Sequence, residues 1–174
     1  GSTFSITVFL DKQPASCQTI PKDLEGIARQ HVLIVDYHAP SRKVLSLMFE
    51  TWNIRHEDCA GSADALRLLR TAAEKNDPFH IVIMDSVTLG MGGLDFGGIC
   101  AKDPLLKDTL LVMLSSIARR GEASRMKDAG FIAYLTKPVR QAHLFDCLAT
   151  ILGLDKSKTG GEESRPLITR HSLA

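Results

Sequence analysis

The chain has 174 residues, 44% apolar and 24% charged, with a net charge of +1. That length supports one well-buried core with flanking segments, and the balance excludes an intrinsically disordered chain. Near-neutral charge without a basic helix argues against a nucleic-acid partner. No run approaches the roughly 20 apolar residues of a membrane span, and no signal core opens the chain, so a cytoplasmic domain without direct membrane contact is expected. Cys17, Cys59, Cys100 and Cys147 are scattered and share no metal-ligand spacing with the six histidines, which reads as reduced structural thiols.

Residues 1–10 alternate Phe4, Ile6, Val8 and Leu10 with Ser5 and Thr7, the period of a strand. Residues 11–30, with Pro14 and Pro21 among polar residues, suit a linker containing a helical turn near 22–28. From residue 31 to 153 strands and helices alternate. Strands are expected near 32–36, 56–60, 80–85, 110–115 and 131–135, and helices over 40–52, 62–75, 93–103, 121–129 and 139–153. Pro40 suits a first helical turn, Ser62 an N-cap, and Trp52 the core at the end of the first helix. Five such units predict a doubly wound α/β domain with a five-stranded parallel sheet and helices on both faces. Residues 154–174, opening on a hydrophilic Lys-Ser-Lys-Thr-Gly-Gly stretch, read as a second linker.

Three strand-like runs end in reactive side chains. Val32-Leu33-Ile34-Val35 stops at Asp36, Ile81-Val82-Ile83-Met84 at Asp85, and the run from Phe131 to Thr136 at Lys137. Open parallel sheets bind ligands outside the carboxyl ends of their strands, so these three residues are expected to converge there. Two close carboxylates repel, and a divalent cation relieves the repulsion while offering positions to phosphate oxygens. Lys137 adds an ammonium and Ser115 a hydroxyl, which together suit phosphoryl transfer with Asp85 as nucleophile.

The strings VLIVDY, IVIMD, VMLSS and AYLTKPV, in this order, resemble the receiver domain of two-component signalling over about residues 31–153. The resemblance implies a flavodoxin-like fold with strand order 2-1-3-4-5, phosphorylation on Asp85 and Lys137 as phosphate partner. It also implies Ser115 and Tyr134 as switch residues, and Mg2+ held by Asp36, Asp85 and the Val87 carbonyl. Its partners would be a phosphohistidine-bearing kinase domain or phosphotransfer domain, and a second receiver in the same chain. The flanks resemble the last strand of a histidine kinase ATPase domain (1–10) and a connector toward a following domain (154–174). The fragment then reads as a receiver from a hybrid histidine kinase and not as an enzyme itself. Separated from its parent sheet, the strand over 1–10 would be disordered or would add to another sheet edge, as in a homodimer.

The sequence departs from this family at the second acid after strand one, which is Tyr37. A phenol is neutral near pH 7 and a poor ligand for a hard cation, so weak Mg2+ binding is expected. Leu89 and Gly92 also replace a Pro and an Asp usual after the acceptor. Two functions are open: a metal-weakened receiver, or a degenerate pseudo-receiver that regulates a kinase by binding protein or a small ligand. A third, a flavodoxin-like nucleotide binder, draws only on Gly90, Gly92, Gly93, Gly97 and Gly98, which lack a phosphate-loop spacing.

Overall fold

β-Branched and aliphatic runs with no charge bury best when both faces are covered, and this chain places such runs at the centre of its sheet. A computed structural model of the chain describes residues 24–87, 90–116, 122–154 and 168–169. The elements in order are α1 (Leu24–Ala28), β1 (His31–Val35), α2 (Ala39–Thr51), β2 (Arg55–Cys59), α3 (Ser62–Glu74), β3 (Ile81–Asp85), α4 (Gly93–Lys102), β4 (Leu110–Ser115), α5 (Glu122–Asp128), β5 (Phe131–Thr136), α6 (Gln141–Ile151) and β6 (Ile168–Thr169). The sheet order is β2-β1-β3-β4-β5-β6, parallel throughout. The expected five strands thus take the order 2-1-3-4-5.

Two residues of the stretch read as a linker, Ile168 and Thr169, extend the sheet beyond β5. Within the other expected linker, α1 puts Ile27 fully into the core, and a Cβ on Gly26 would lie 2.7 Å from the Leu154 side chain. Burial of one isoleucine carries no period that a sequence could reveal. The strand expected over 1–10 lies outside the described residues.

Alternation along each strand sorts the side chains into two cores. Val32, Ile34, Ile83, Val112 and Leu135 pack against Leu45, Phe49, Leu144 and Leu148 beneath α2 and α6. Leu33, Val82, Met84, Met113 and Phe131 pack against Ala65, Leu69, Phe96 and Met126 beneath α3, α4 and α5. Trp52 caps α2 in the first core, 8% exposed and edge-on to Phe145 at 5.4 Å. The thiols are packing groups: Cys100 and Cys147 are buried and free, and burial pushes both up to about 12. Cys17 lies outside the described residues.

One glycine of α4, Gly97, is required by packing. A Cβ on Gly97 would sit 2.1 Å from the Ala129 carbonyl oxygen, whereas one on Gly98 would meet nothing within 4 Å. At the opposite end of the sheet from the strand termini, His31 is buried and stacked on Phe79 with centroids 3.8 Å apart. Its backbone N–H donates to His80 Nδ1, and its ring lies 2.6 Å from the Arg55 guanidinium and 3.6 Å from Glu57. Burial first, and Arg55 second, hold the His31 imidazole below its ordinary value of 6.5.

Gly97→Ala is expected to cost about 1–3 kcal/mol by overpacking against backbone, whereas Gly98→Ala gains about 0.5–1 kcal/mol of helix stability; urea denaturation of both measures the difference. A lowered folded-state value means that the unfolded chain takes up the proton first, so this contribution to stability is present above about pH 6.5 and is lost as pH falls below it. Stability measured from pH 7.5 to 5 should therefore decline less steeply in His31→Gln than in the parent chain.

Candidate functional site

β1 has β2 on one side and β3 on the other, so successive crossovers leave it in opposite directions and a crevice opens above the carboxyl ends of β1 and β3. Asp36 follows β1 directly, Asp85 ends β3, Ser115 ends β4, and Lys137 follows β5. Backbone bonds level these ends: the Asp36 N–H donates to Cys59 O, Ser86 N–H to Leu114 O, and Lys137 N–H to Ser115 O, the last two at 2.7 Å.

The expected convergence is present. Lys137 Nζ lies 2.7 Å from Asp36 Oδ2 and 2.7 Å from Asp85 Oδ1, bridging the two carboxylates. The remaining oxygens take backbone donors, Asp36 Oδ1 from the His38 N–H at 2.8 Å and Asp85 Oδ2 from the Val87 N–H at 3.1 Å. Asp36 Oδ1, Asp36 Oδ2 and Asp85 Oδ2 thus accept hydrogen bonds from the protein, while Asp85 Oδ1 meets Lys137 as an ion pair. Asp36 and Asp85 are 1% and 3% exposed. Burial works against the Lys137 charge, but hydrogen bonds to Asp36 and Asp85 outweigh it and hold the ammonium above the ordinary lysine value. Two carboxylates and one ammonium leave the cluster one negative charge in excess. Ser115 is buried beside it, and the Ser86 hydroxyl donates to Ser115 Oγ at 3.4 Å.

Tyr37 stands at the rim, 49% exposed, its ring 6.2 Å from that of His38. Tyr134 is 6% exposed and packs into the core beneath α3, α4 and α5. The Val87 side chain is exposed, while its N–H orders Asp85. Leu89 lies outside the described residues. Among the described residues, no group of three or more His, Cys, Asp or Glu side chains is arranged to hold a metal ion. Two buried carboxylates still fit Mg2+, which accepts one or two and keeps several waters, provided that Lys137 yields its place.

Two supporting residues have roles at the site that the sequence did not reveal. Arg42 donates to the Asp36 carbonyl at 2.7 Å and pairs with Asp58 across α2 and β2, so it fixes the turn that carries Asp36 and Tyr37. Ser62, expected as an N-cap, is the first residue of α3 after the cap Gly61. Its buried hydroxyl instead accepts the Met91 N–H at 2.8 Å, tethering the loop beyond Asp85, where Gly90 takes φ +97°. The glycines that suggested a nucleotide loop therefore serve a turn at Gly90 and a close helix approach at Gly97.

A doubly wound sheet that brings two acids and a lysine together at its carboxyl edge defines the class, an α/β domain with an acid–lysine cluster at its strand ends. The sequence pattern of the response regulator receiver domain matches residues 32–149, and the chain belongs to that family. The hybrid signal transduction histidine kinase C of Dictyostelium discoideum is 24% identical over 163 residues, 91% of this chain but only 12% of that protein. Among solved structures, the Vibrio cholerae chemotaxis response regulator CheY4 covers 70% of this chain with 98% of its own, at 23% identity and TM-score 0.64. The receiver domain of the Pseudomonas aeruginosa sensor histidine kinase PA1611, solved with magnesium coordinated in its active-site cleft, covers 71% with 98% of its own, at 20% identity and TM-score 0.60. These likenesses establish the fold of a two-component receiver. No helix among the described residues is long and apolar enough to cross a membrane.

Because one ammonium serves two buried carboxylates, Lys137→Met is expected to cost about 3 kcal/mol in urea denaturation at pH 7, the low end for a broken buried pair since Lys137 keeps 22% of its side chain exposed. Asp85→Asn should instead raise stability by removing the excess charge, and equal stability of all three proteins would show that the cluster is not electrostatically linked.

Proposed function

We propose that this domain accepts a phosphoryl group on Asp85 from a phosphohistidine. The observation that carries the reading is the placement of Lys137 Nζ 2.7 Å from both Asp85 and Asp36 with Ser115 alongside. In the transfer, an Asp85 carboxylate oxygen attacks phosphorus, the P–N bond to the donor imidazole breaks, and an acyl phosphate forms. Lys137 exchanges its contact with Asp85 for the new phosphoryl oxygens, and the Ser115 hydroxyl donates to another of them.

Asp36, Asp85 and the Val87 carbonyl are the groups that would hold Mg2+, which when bound neutralises charge on the transferring phosphoryl. With Tyr37 exposed on the rim, the site has one anionic ligand fewer than the family pattern and binds the ion weakly. An apolar groove of about 570 Å³ runs from Lys137 between Val44, Leu45, Met48, Pro138 and Val139, offering the donor domain a surface beside the acceptor. The segments flanking the family match are read as pieces of a hybrid kinase, with the connector leading toward a second receiver.

The bridging lysine also favours a second reading, a pseudo-receiver whose carboxylates keep an internal ammonium as their counter-ion and whose surface binds a kinase core without phosphorylation. Intact-mass measurement after incubation with a small phosphodonor at millimolar Mg2+ separates the two. The first reading expects a gain of one phosphoryl group in the parent chain and none in Asp85→Asn. It further expects Tyr37→Asp to lower the Mg2+ concentration needed by about tenfold, equivalent to roughly 1.4 kcal/mol of added binding. No mass gain in the parent chain combined with a gain in Tyr37→Asp would establish the pseudo-receiver.

A further inference from the structure

The Ser86 hydroxyl is left unused by the proposed transfer, although it meets a residue that takes part in it. Ser86 follows Asp85 directly in the chain, and its N–H donates to Leu114 O at 2.7 Å, tying the turn after β3 to the end of β4. One strand further on, the Lys137 N–H donates to Ser115 O, also at 2.7 Å. The backbone at both serines is thus held to a neighbouring strand, and rotation about χ1 is what remains to them. Ser115 is 3% exposed and Ser86 half-buried, and the Ser86 hydroxyl donates to Ser115 Oγ at 3.4 Å.

A hydroxyl carries one proton and two lone pairs. When Ser86 fills one lone pair of Ser115 Oγ, the Ser115 proton points away from Ser86 and is kept for another acceptor. Hydrogen bonds in series also polarise one another, so a Ser115 that accepts from Ser86 donates more strongly in turn. The tie is longer than the roughly 2.7–2.8 Å usual between hydroxyls, so it orients Ser115 without fixing it in place. We propose that Ser86 is a positioning residue for phosphoryl transfer, one that turns the Ser115 hydroxyl into a donor for the phosphoryl oxygens on Asp85. This role rests on the phosphoacceptor reading of Asp85 and adds to it a second hydroxyl, which acts through Ser115. A serine just after a strand reads in sequence only as a turn former, so this contact had no signal there.

The rate of phosphoryl gain from acetyl phosphate at millimolar Mg2+, followed by intact mass on the full chain, tests this as a double-mutant cycle of Ser86→Ala and Ser115→Ala. Ser86→Ala is expected to slow the gain about threefold, the effect of one weak net hydrogen bond, whereas Ser86→Thr, which keeps the hydroxyl, retains the parent rate. In the Ser115→Ala background Ser86→Ala should change nothing, since the group it orients is gone. A serine that only supports the fold would slow both backgrounds by the same factor. That outcome, or a parent-like rate in Ser86→Ala, overturns the positioning role and leaves Asp85 as the acceptor. Should the parent chain gain no phosphoryl group, the same cycle is run on Tyr37→Asp, where the usual second acid is restored. No gain there either removes the acceptor itself, and the role of Ser86 with it.

Discussion

The constraint on which the rest of the structure depends is the sharing of one ammonium by two buried carboxylates. Asp36 and Asp85 sit on adjacent strands and are both closed off from water, an arrangement that like charges do not tolerate alone. Lys137 makes it tolerable by lying 2.7 Å from each. Everything that positions these three groups therefore contributes to holding the pocket shut: the backbone bond from Lys137 to Ser115, the Arg42 clamp on the β1–α2 turn, and the Ser62 tether beyond Asp85.

Under the proposed phosphoacceptor role, the same arrangement ties the chemistry of the domain to its stability. An acyl phosphate on Asp85, as proposed, would carry more negative charge than the carboxylate it replaces, so the charge that the cluster must neutralise would rise on phosphorylation. The lysine that stabilises the resting cluster is, in the proposed reaction, also the group that follows the phosphoryl oxygens. Replacement of the usual second acid by Tyr37 reduces the local negative charge and leaves the lysine a larger share of the neutralisation. Tyr37 itself is turned outward, where it contributes an aromatic rim and not a ligand.

Beyond the pocket, the fold is governed by how a parallel sheet hides its faces and edges. Each face is filled by its own cluster of aliphatic and aromatic side chains, sorted by strand alternation. The edges are handled separately, by charge on β2 and by Ile168–Thr169 pairing beside β5. His31 belongs to a third kind of solution, a buried imidazole kept neutral by its surroundings beneath the sheet, where Arg55 and Asp77 form a surface pair beside it.

Hydrophobic period and strand-end chemistry determined much by themselves: five strands, their alternation with helices, the parallel sheet, and the convergence of Asp36, Asp85 and Lys137 were all legible in the residue order. They are local patterns, and a crossover rule that permits few topologies turns them into a site. Tertiary structure alone decided that Lys137 bridges both acids, since a flexible side chain reaching across some hundred residues leaves no periodic trace. It also decided that Ser62 serves a distant loop and not its own helix, that Arg42 finds Asp58, that Gly97 answers to the Ala129 carbonyl, and that Ile27 and Ile168 join the fold from stretches that read as linkers. Each of these depends on which backbone comes near in space, and sequence period specifies only which face of an element turns inward.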